Sequence, residues 1–482
     1  MKTRFFAFIC LVAVMACFAT AIQADVRLPE IFDNNMVLQR DMPVPIWGWA
    51  EPNEPVDVTL DTQTVSTTAD ADGKWSMQFP SLKVSTEPVT LTVKGKWGSD
   101  IEFTNVLVGD VWLCSGQSNM QWSMIQADKA EYEEVLKAVD NPNLRLFQVD
   151  RVFNAAPQET LSVKASWKPC GAETIPEFSA VALHFGRKLQ VELGVPIGLI
   201  NSSWGGTRIE PWTPPVGFND VPALKDIADS LKSKNPKSDQ QQPTMLYNAM
   251  IHPLVPFALK GVIWYQGEAN MGEGMLYADK MKALIQGWRT VFNNPELGFY
   301  YVQLAPYIYG NQLATNLPEF WEAQSSVEKI LPQTGQAIIN DLVDNIRDIH
   351  PVRKKPVGER LALLALNRTY GKSEVVCAAP EFDKMDIKGN TLTIHFKNAQ
   401  KLPTRDGQPP DWFEITGADG IYYKADAKIE GTTIKLTSSS VSKPTAVRYA
   451  WDHSAQPNVQ NESGLQLGAF RAGTIPPSAD NF

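Results

Sequence analysis

The chain has 482 residues, 44% hydrophobic and 20% charged, with a formal net charge of −9. That length exceeds what one core can serve, so two to four domains are expected. No basic run is present, which argues against nucleic acid and anionic membrane surfaces as partners. Fourteen tryptophans and twelve tyrosines suit aromatic grooves of the kind that hold sugar faces.

The N-terminus reads as an export signal over residues 1–24. Lys2 and Arg4 form a positive start, Phe5 to Phe18 is apolar but short for a bilayer span, and Ala19-Thr20-Ala21 and Ala24 offer cleavage sites. Cleavage removes two cations and takes the charge from −9 to −11. A secreted or periplasmic location follows. The rival reading is lipoprotein anchoring at Cys17, because Val14-Met15-Ala16-Cys17 resembles a lipobox. No later apolar run reaches about 18 residues, so no membrane span is expected. Cys10 and Cys17 fall in the signal, which leaves Cys114, Cys170 and Cys377. Three cysteines allow one pair but no disulfide framework, and no Cys/His spacing points to zinc. Neither a metal nor another cofactor is expected.

Residues 25–105 alternate apolar and polar side chains between turns. Pro43 to Trp49, Val56 to Leu60, Trp75 to Phe79 and Val89 to Val93 read as strands, with a hairpin turn at Asp70 to Lys74. An N-terminal β-sandwich-like domain is expected. From 106 to 375 the rhythm is strand then helix. Strands are expected at Val106 to Cys114, Ile197 to Ile200, Val262 to Tyr265, Phe299 to Leu304 and Ala337 to Ile339. Helices are expected after Ser179, over Tyr277 to Phe292, Glu319 to Ile330 and Lys355 to Leu366. That alternation predicts an α/β domain with a mostly parallel sheet flanked by helices. Residues 376–482 return to strand patterns at Thr391 to Phe396, Trp412 to Ile415 and Ala446 to Trp451, a second β-sandwich-like domain.

Four strand ends of the central domain finish in polar turns: Gly116-Gln117-Ser118-Asn119, Asn201 to Thr207, Gln266-Gly267-Glu268-Ala269-Asn270, and Asn340 to Pro351. In an open α/β sheet such turns converge on one crevice. Together they offer a hydroxyl, backbone N–H groups, an amide, a carboxylate and an imidazole, the parts needed for acyl transfer. Ser118 is the candidate nucleophile. Its helix-capping alternative carries comparable weight on local pattern alone. A serine needs a base, and among five histidines His350 follows the last sheet strand and precedes a helix. His252, beside Pro253, is its competitor, while His184 lies in a helix and His395 and His453 in the late β domain. Asp348 is the candidate orienting acid, with Asp344, Asp341 or a backbone carbonyl as alternatives. Oxyanion donors are sought at the Ser118 N–H, the Gly206 (or Gly205) N–H and the Asn270 amide. Gln117, Trp204, Arg208 and Glu268 are placed at the substrate, with Glu268 also read as a structural hydrogen-bonder. Trp122, Trp204 and Trp212 are candidates for the sugar-site walls.

These segments, with Trp-Gly-Gly-Thr at 204–207, Trp-Tyr-Gln-Gly-Glu-Ala-Asn at 264–270 and Asp-Ile-His-Pro at 348–351, resemble the SGNH-type (GDSL-like) hydrolases, and within them the sialate O-acetylesterase-like branch. The resemblance implies a flavodoxin-like catalytic domain and a metal-independent carboxylic-ester hydrolase that removes acetyl groups from sugar hydroxyls. It supports Ser118 as nucleophile, Gly206 and Asn270 as oxyanion partners and His350 as base. The sequence departs from the pattern at one place: many such enzymes carry the acid three residues before the histidine, where this chain has Arg347. Two alternatives remain: an acetylxylan or hemicellulose esterase of the same fold, and a non-catalytic carbohydrate-binding protein. A lipase or peptidase ranks lower, because Ser118 lacks a GxSxG elbow.

Overall fold

The computed structural model describes residues 25–474 apart from 97, 99, 138–139, 233–238 and 311. The expected signal over 1–24 and the lipobox-like Cys17 lie outside the described residues. Among the described residues, no helix is long and apolar enough to cross a membrane.

Seven strands build the central part of the main sheet. They are β1 (Ile101–Gly116), β2 (Asn141–Gln148), β3 (Trp167–Cys170), β4 (Ile197–Ser203), β5 (Gly261–Tyr265), β6 (Gly298–Val302) and β7 (Thr334–Ala337). Their order is β7-β6-β5-β1-β4-β2-β3. Every neighbouring pair is parallel except β2 with β3 at the edge. Strands β4, β5 and β6 are buried along their whole length, as expected for parallel strands covered on both faces. The helices include α1 (Ser118–Gln121), α2 (Ala180–Leu193), α3 (Leu276–Val291), α4 (Asn316–Ile330) and α5 (Lys355–Arg368). Helix α2 packs against α5 and α3 against α4. Ser179 caps α2 by accepting the Ala182 N–H, and Gly194 closes it in the left-handed region at φ 66°.

Two expectations about organisation change. The boundary placed at residue 106 falls inside β1, a 16-residue strand. Its first half pairs with Ser85–Gly95 and Val37–Gln39, and its second half with β4 and β5. The sheet therefore runs on to 11 strands, and the N-terminal region shares one apolar core with the α/β region. An alternating pattern cannot mark a boundary that one strand bridges. The cysteine pair that three thiols allowed is not formed: Cys114, Cys170 and Cys377 are all free.

Beyond 380 the chain forms two four-stranded antiparallel sheets around a separate core that includes Ile394, Ile415, Leu436 and Tyr449. This unit lies against the loops after β6 and β7. Tyr307 N–H donates to the His453 carbonyl (2.9 Å), and Arg471 pairs with Glu322 (2.9 Å).

Strand β1 is the topological switch. From its carboxyl end the chain moves out to β2, β3 and β4 on one side, then crosses to β5, β6 and β7 on the other. At that end Gly116 lies level with Ser203 of β4 and Tyr265 of β5. A crevice at such a reversal is where open α/β sheets bind ligands.

Candidate active site

The turn that carries Ser118 is set by close packing. Gly116 has φ 140°, and a Cβ there would lie 2.1 Å from the Tyr265 carbonyl oxygen. Only glycine fits. The carbonyl of Gly116 accepts the Trp204 N–H (3.0 Å), and Gln117 N–H donates to the Tyr265 carbonyl (2.9 Å). The chain then turns into α1 at Ser118, whose own N–H belongs to the first turn and has no acceptor within the helix.

Across the crevice His350 Nε2 lies 2.8 Å from Ser118 Oγ. The two residues are 232 positions apart and meet because the loop after β7 returns over the end of β1. Trp122 stacks on the imidazole, with ring centroids 4.4 Å apart and planes 19° apart. Burial, together with the cation of Lys354, pushes the His350 pKa below the usual histidine value, and Asp348 partly opposes that. The neutral form of the imidazole, the one that can accept a proton, is thereby favoured.

Asp348 does not take the place expected of it. Its Oδ1 accepts the backbone N–H of His350 (2.9 Å), and no hydrogen bond joins it to the ring. The short side chain two residues upstream closes an Asx-type turn, which holds the loop instead of the imidazole. The alternative Asp341 pairs in a bidentate manner with Arg360 (2.7 and 2.6 Å), and Asp344 is exposed.

Beneath the pair lies a buried chain of polar groups. Lys354 is fully buried, and its Nζ donates to Asn119 Oδ1 (2.6 Å). Asn119 Nδ2 donates to Glu268 Oε1 (2.6 Å) and to the carbonyl of Ile349 (3.0 Å), the neighbour of His350. Burial lowers the Lys354 pKa to about 7 and raises that of Glu268. Glu131 Oε2 accepts the backbone N–H groups of Lys354 and Lys355 (2.9 Å each) at the start of α5. These bonds tie the Ser118 turn, the Glu268 turn and the His350 loop into one unit.

Several residues expected at the substrate are instead part of this scaffold. Asn270, sought as an oxyanion donor, directs its amide hydrogens to Glu210 (3.0 Å) and Glu273 (3.1 Å). Its Oδ1 accepts from Ile209 N–H (3.0 Å) and Gln266 Nε2 (2.8 Å). Arg208 pairs with Glu210 (2.9 Å), Glu273 and the Ala269 carbonyl (3.1 Å). Gln117 is buried, and its Oε1 accepts from Gln266, Gly267 and Ala269 (3.2–3.4 Å). Glu268 is half-buried, as the hydrogen-bonder that Asn119 requires. Trp212 is core, with its Nε1 on Thr207 Oγ1 (3.0 Å), and the rival His252 is held at the Gln158 carbonyl (2.8 Å).

Of the two glycines, Gly205 backs onto Ser118, where a Cβ would lie 3.2 Å from the serine Cβ. Its N–H is engaged by Gln121 Oε1 (2.7 Å). Gly206 is exposed at φ 73°, and its N–H donates to no described residue. The cleft around Ser118 and His350 is completed by Gln121, Trp122, Gln126, Arg151, Trp204 and Gly205. Gln121, Arg151 and Lys354 gave no signal in sequence, since each stands outside the quoted motifs. Asn119 stood inside one, and its buried partners supply its role. Among the described residues, no group of three or more His, Cys, Asp or Glu side chains could hold a metal ion.

Comparison with known proteins places this arrangement. A model of the carbohydrate esterase, sialic acid-specific acetylesterase family matches residues 108–350. The sialate O-acetylesterase of Mus musculus is 30% identical, with 88% of this chain and 89% of that protein covered. The Homo sapiens sialate O-acetylesterase is 31% identical, over 78% of this chain and 77% of that protein. Among solved structures, a carbohydrate acetylesterase from Xanthomonas citri superposes with a TM-score of 0.85 at 37% identity, covering 93% of this chain and all of that one. The chain is therefore a carboxylic-ester hydrolase, and it belongs to the sialic acid-specific acetylesterase family of carbohydrate esterases.

Proposed function

We propose that the chain is an exported carbohydrate O-acetylesterase that works through an acetyl-serine at Ser118, with His350 as general base. The observation that carries this reading is the 2.8 Å contact between His350 Nε2 and Ser118 Oγ at the sheet's switch point. As Oγ attacks the acetyl carbonyl, His350 takes its proton. The tetrahedral oxyanion lies against the Ser118 N–H, with the free N–H of exposed Gly206 as second donor. Collapse breaks the ester bond, and His350 returns the proton to the departing sugar oxygen. Water, deprotonated by the same imidazole, then attacks the acetyl carbon; the acyl–Oγ bond breaks, His350 returns the proton to Ser118 Oγ, and acetate leaves. The imidazole plane is fixed by the Trp122 stack and its loop by Asp348, so a Ser–His dyad serves in place of a triad.

Export rests on the residue pattern of 1–24, and the substrate class on the names of the relatives. Turnover of para-nitrophenyl acetate by the wild type, Ser118→Ala and His350→Ala tests the mechanism. Each variant is expected to lose about ten-thousand-fold or more in kcat, as removal of a nucleophile or base does elsewhere. Variants within tenfold of the wild type would sink the reading.

A further inference from the structure

The cleft leaves one charge unmatched. Arg151 lines it beside Ser118 and His350, three residues past β2, and its side chain is exposed. No hydrogen bond or ion pair joins its guanidinium to any described residue. By contrast, Arg208 is engaged by Glu210 and Glu273, and Arg360 by Asp341. No aspartate or glutamate lines the cleft.

The segment around Arg151 is held in place. Val149 N–H donates to the Asn201 carbonyl at one end (2.9 Å). At the other, Asn154 N–H donates to the Met245 carbonyl (3.1 Å), and its own carbonyl accepts from Asn248 Nδ2 (3.0 Å). Between them Phe153, 37% exposed, packs against Trp204, with ring centroids 6.4 Å apart. An exposed cation on an anchored segment thus lines the same cleft as the aromatic Trp204.

We infer that Arg151 forms an anion subsite of the Ser118–His350 cleft, which receives the carboxylate of an acidic O-acetylated sugar. The inference rests on the esterase reading and deepens it by naming the group that recognises the sugar's charge. A guanidinium stays protonated at every relevant pH, and its planar fork matches a carboxylate with two parallel hydrogen bonds. The chain as a whole carries −9, which repels an anionic substrate. A local, unpaired cation at the point of entry reverses that field where it matters. A neutral acetylated sugar gains none of this.

The test compares wild type, Arg151→Gln and Arg151→Lys on O-acetylated N-acetylneuraminic acid and on its methyl ester, which lacks the charge. Para-nitrophenyl acetate serves as the reference for Ser118 chemistry. In the wild type the acid is expected to exceed the ester in kcat/KM. In Arg151→Gln that ratio falls about 10- to 100-fold, the usual worth of a hydrogen-bonded charge partner, chiefly through KM. Arg151→Lys retains part of it. Calorimetric binding of N-acetylneuraminate and its methyl ester to wild type reads the same preference without turnover or substitution. Equal handling of acid and ester by the wild type, or an unchanged ratio in Arg151→Gln, overturns the subsite. Failure of the wild type on para-nitrophenyl acetate overturns the esterase mechanism instead, and the binding experiment still decides the subsite.

Discussion

The Ser118–His350 pair and the Glu210–Asn270 cluster are both built from loops at the carboxyl edge of the same sheet, yet they differ in what they leave available. In the cluster, Arg208 and Lys280 balance Glu210 and Glu273, and Asn270 is bonded through both its oxygen and its nitrogen. Burial pushes the Glu210 carboxyl up, but its bonds to Arg208, Lys280 and Asn270 prevail and hold its pKa at about 2. The pair is half-buried and faces a cleft; among the described residues the serine hydroxyl meets only an imidazole. A group bonded on every side holds a loop, and one with an open side can react. Residue type alone does not separate the two.

The largest test of that contrast is at the pair itself. Ser118→Ala should abolish turnover while leaving the melting temperature close to wild type, since the hydroxyl has little structural work. The cluster should behave in the opposite sense. Lys280→Met leaves buried Glu210 and half-buried Glu273 short of a cation, a loss of about 3–5 kcal/mol of stability for a broken buried pair. Chemical denaturation should show it, and activity should fall only as folded protein is lost. A stable Lys280→Met protein with a specific defect in kcat would erase the distinction drawn here.

Asp348 sharpens the comparison at intermediate size. As a backbone-binding residue, its replacement in Asp348→Asn should reduce kcat by less than about tenfold, because an amide oxygen still accepts the His350 N–H. The acid of a true triad costs about 10⁴-fold when changed in this way. A loss of that order, measured on para-nitrophenyl acetate, would show that Asp348 turns to the ring during catalysis.

The smallest effect is a shift in pH. As the proposed base, His350 must be neutral to act, and the acid limb of kcat/KM then reports its pKa in the free enzyme. Burial and the Lys354 cation both lower that pKa, so the limb lies below the ordinary histidine value near 6.5. Lys354→Met removes the cation but not the burial. Protonation of His350 becomes easier, and the limb moves to higher pH. A limb that stays put or moves lower in the pH–rate profile would mean that Lys354 acts on the loop and not on the charge.

How much of this was legible in the chain depends on the length scale of the cause. Strand and helix positions follow from local periodicity and from stops such as Gly194, and they match to within a few residues. Strands β2 and β3 were not expected at all, and β1 begins at Ile101, five residues before the expected boundary, because its first half pairs with strands of the N-terminal region. Within the site, Ser118 and His350 were legible because the serine stands at the end of a sheet strand and the histidine is one of only five in the chain. Asn270, Arg208 and Gln117 stood in the same motifs, but their hydrogen-bond partners come from segments up to about 150 residues away. No local pattern carries that information.

The sequence by itself determined that the middle of this chain is a strand-and-helix sheet whose polar turns share an edge, since side-chain periodicity and glycine geometry act over a few residues. Only the tertiary structure decided which of those polar groups stay open to the cleft. It also decided that Lys354 lies buried beneath His350 and that Arg151 stands unpaired at the entrance. Hydrogen bonding and desolvation are settled by neighbours in space, and those neighbours are known only once the chain has folded.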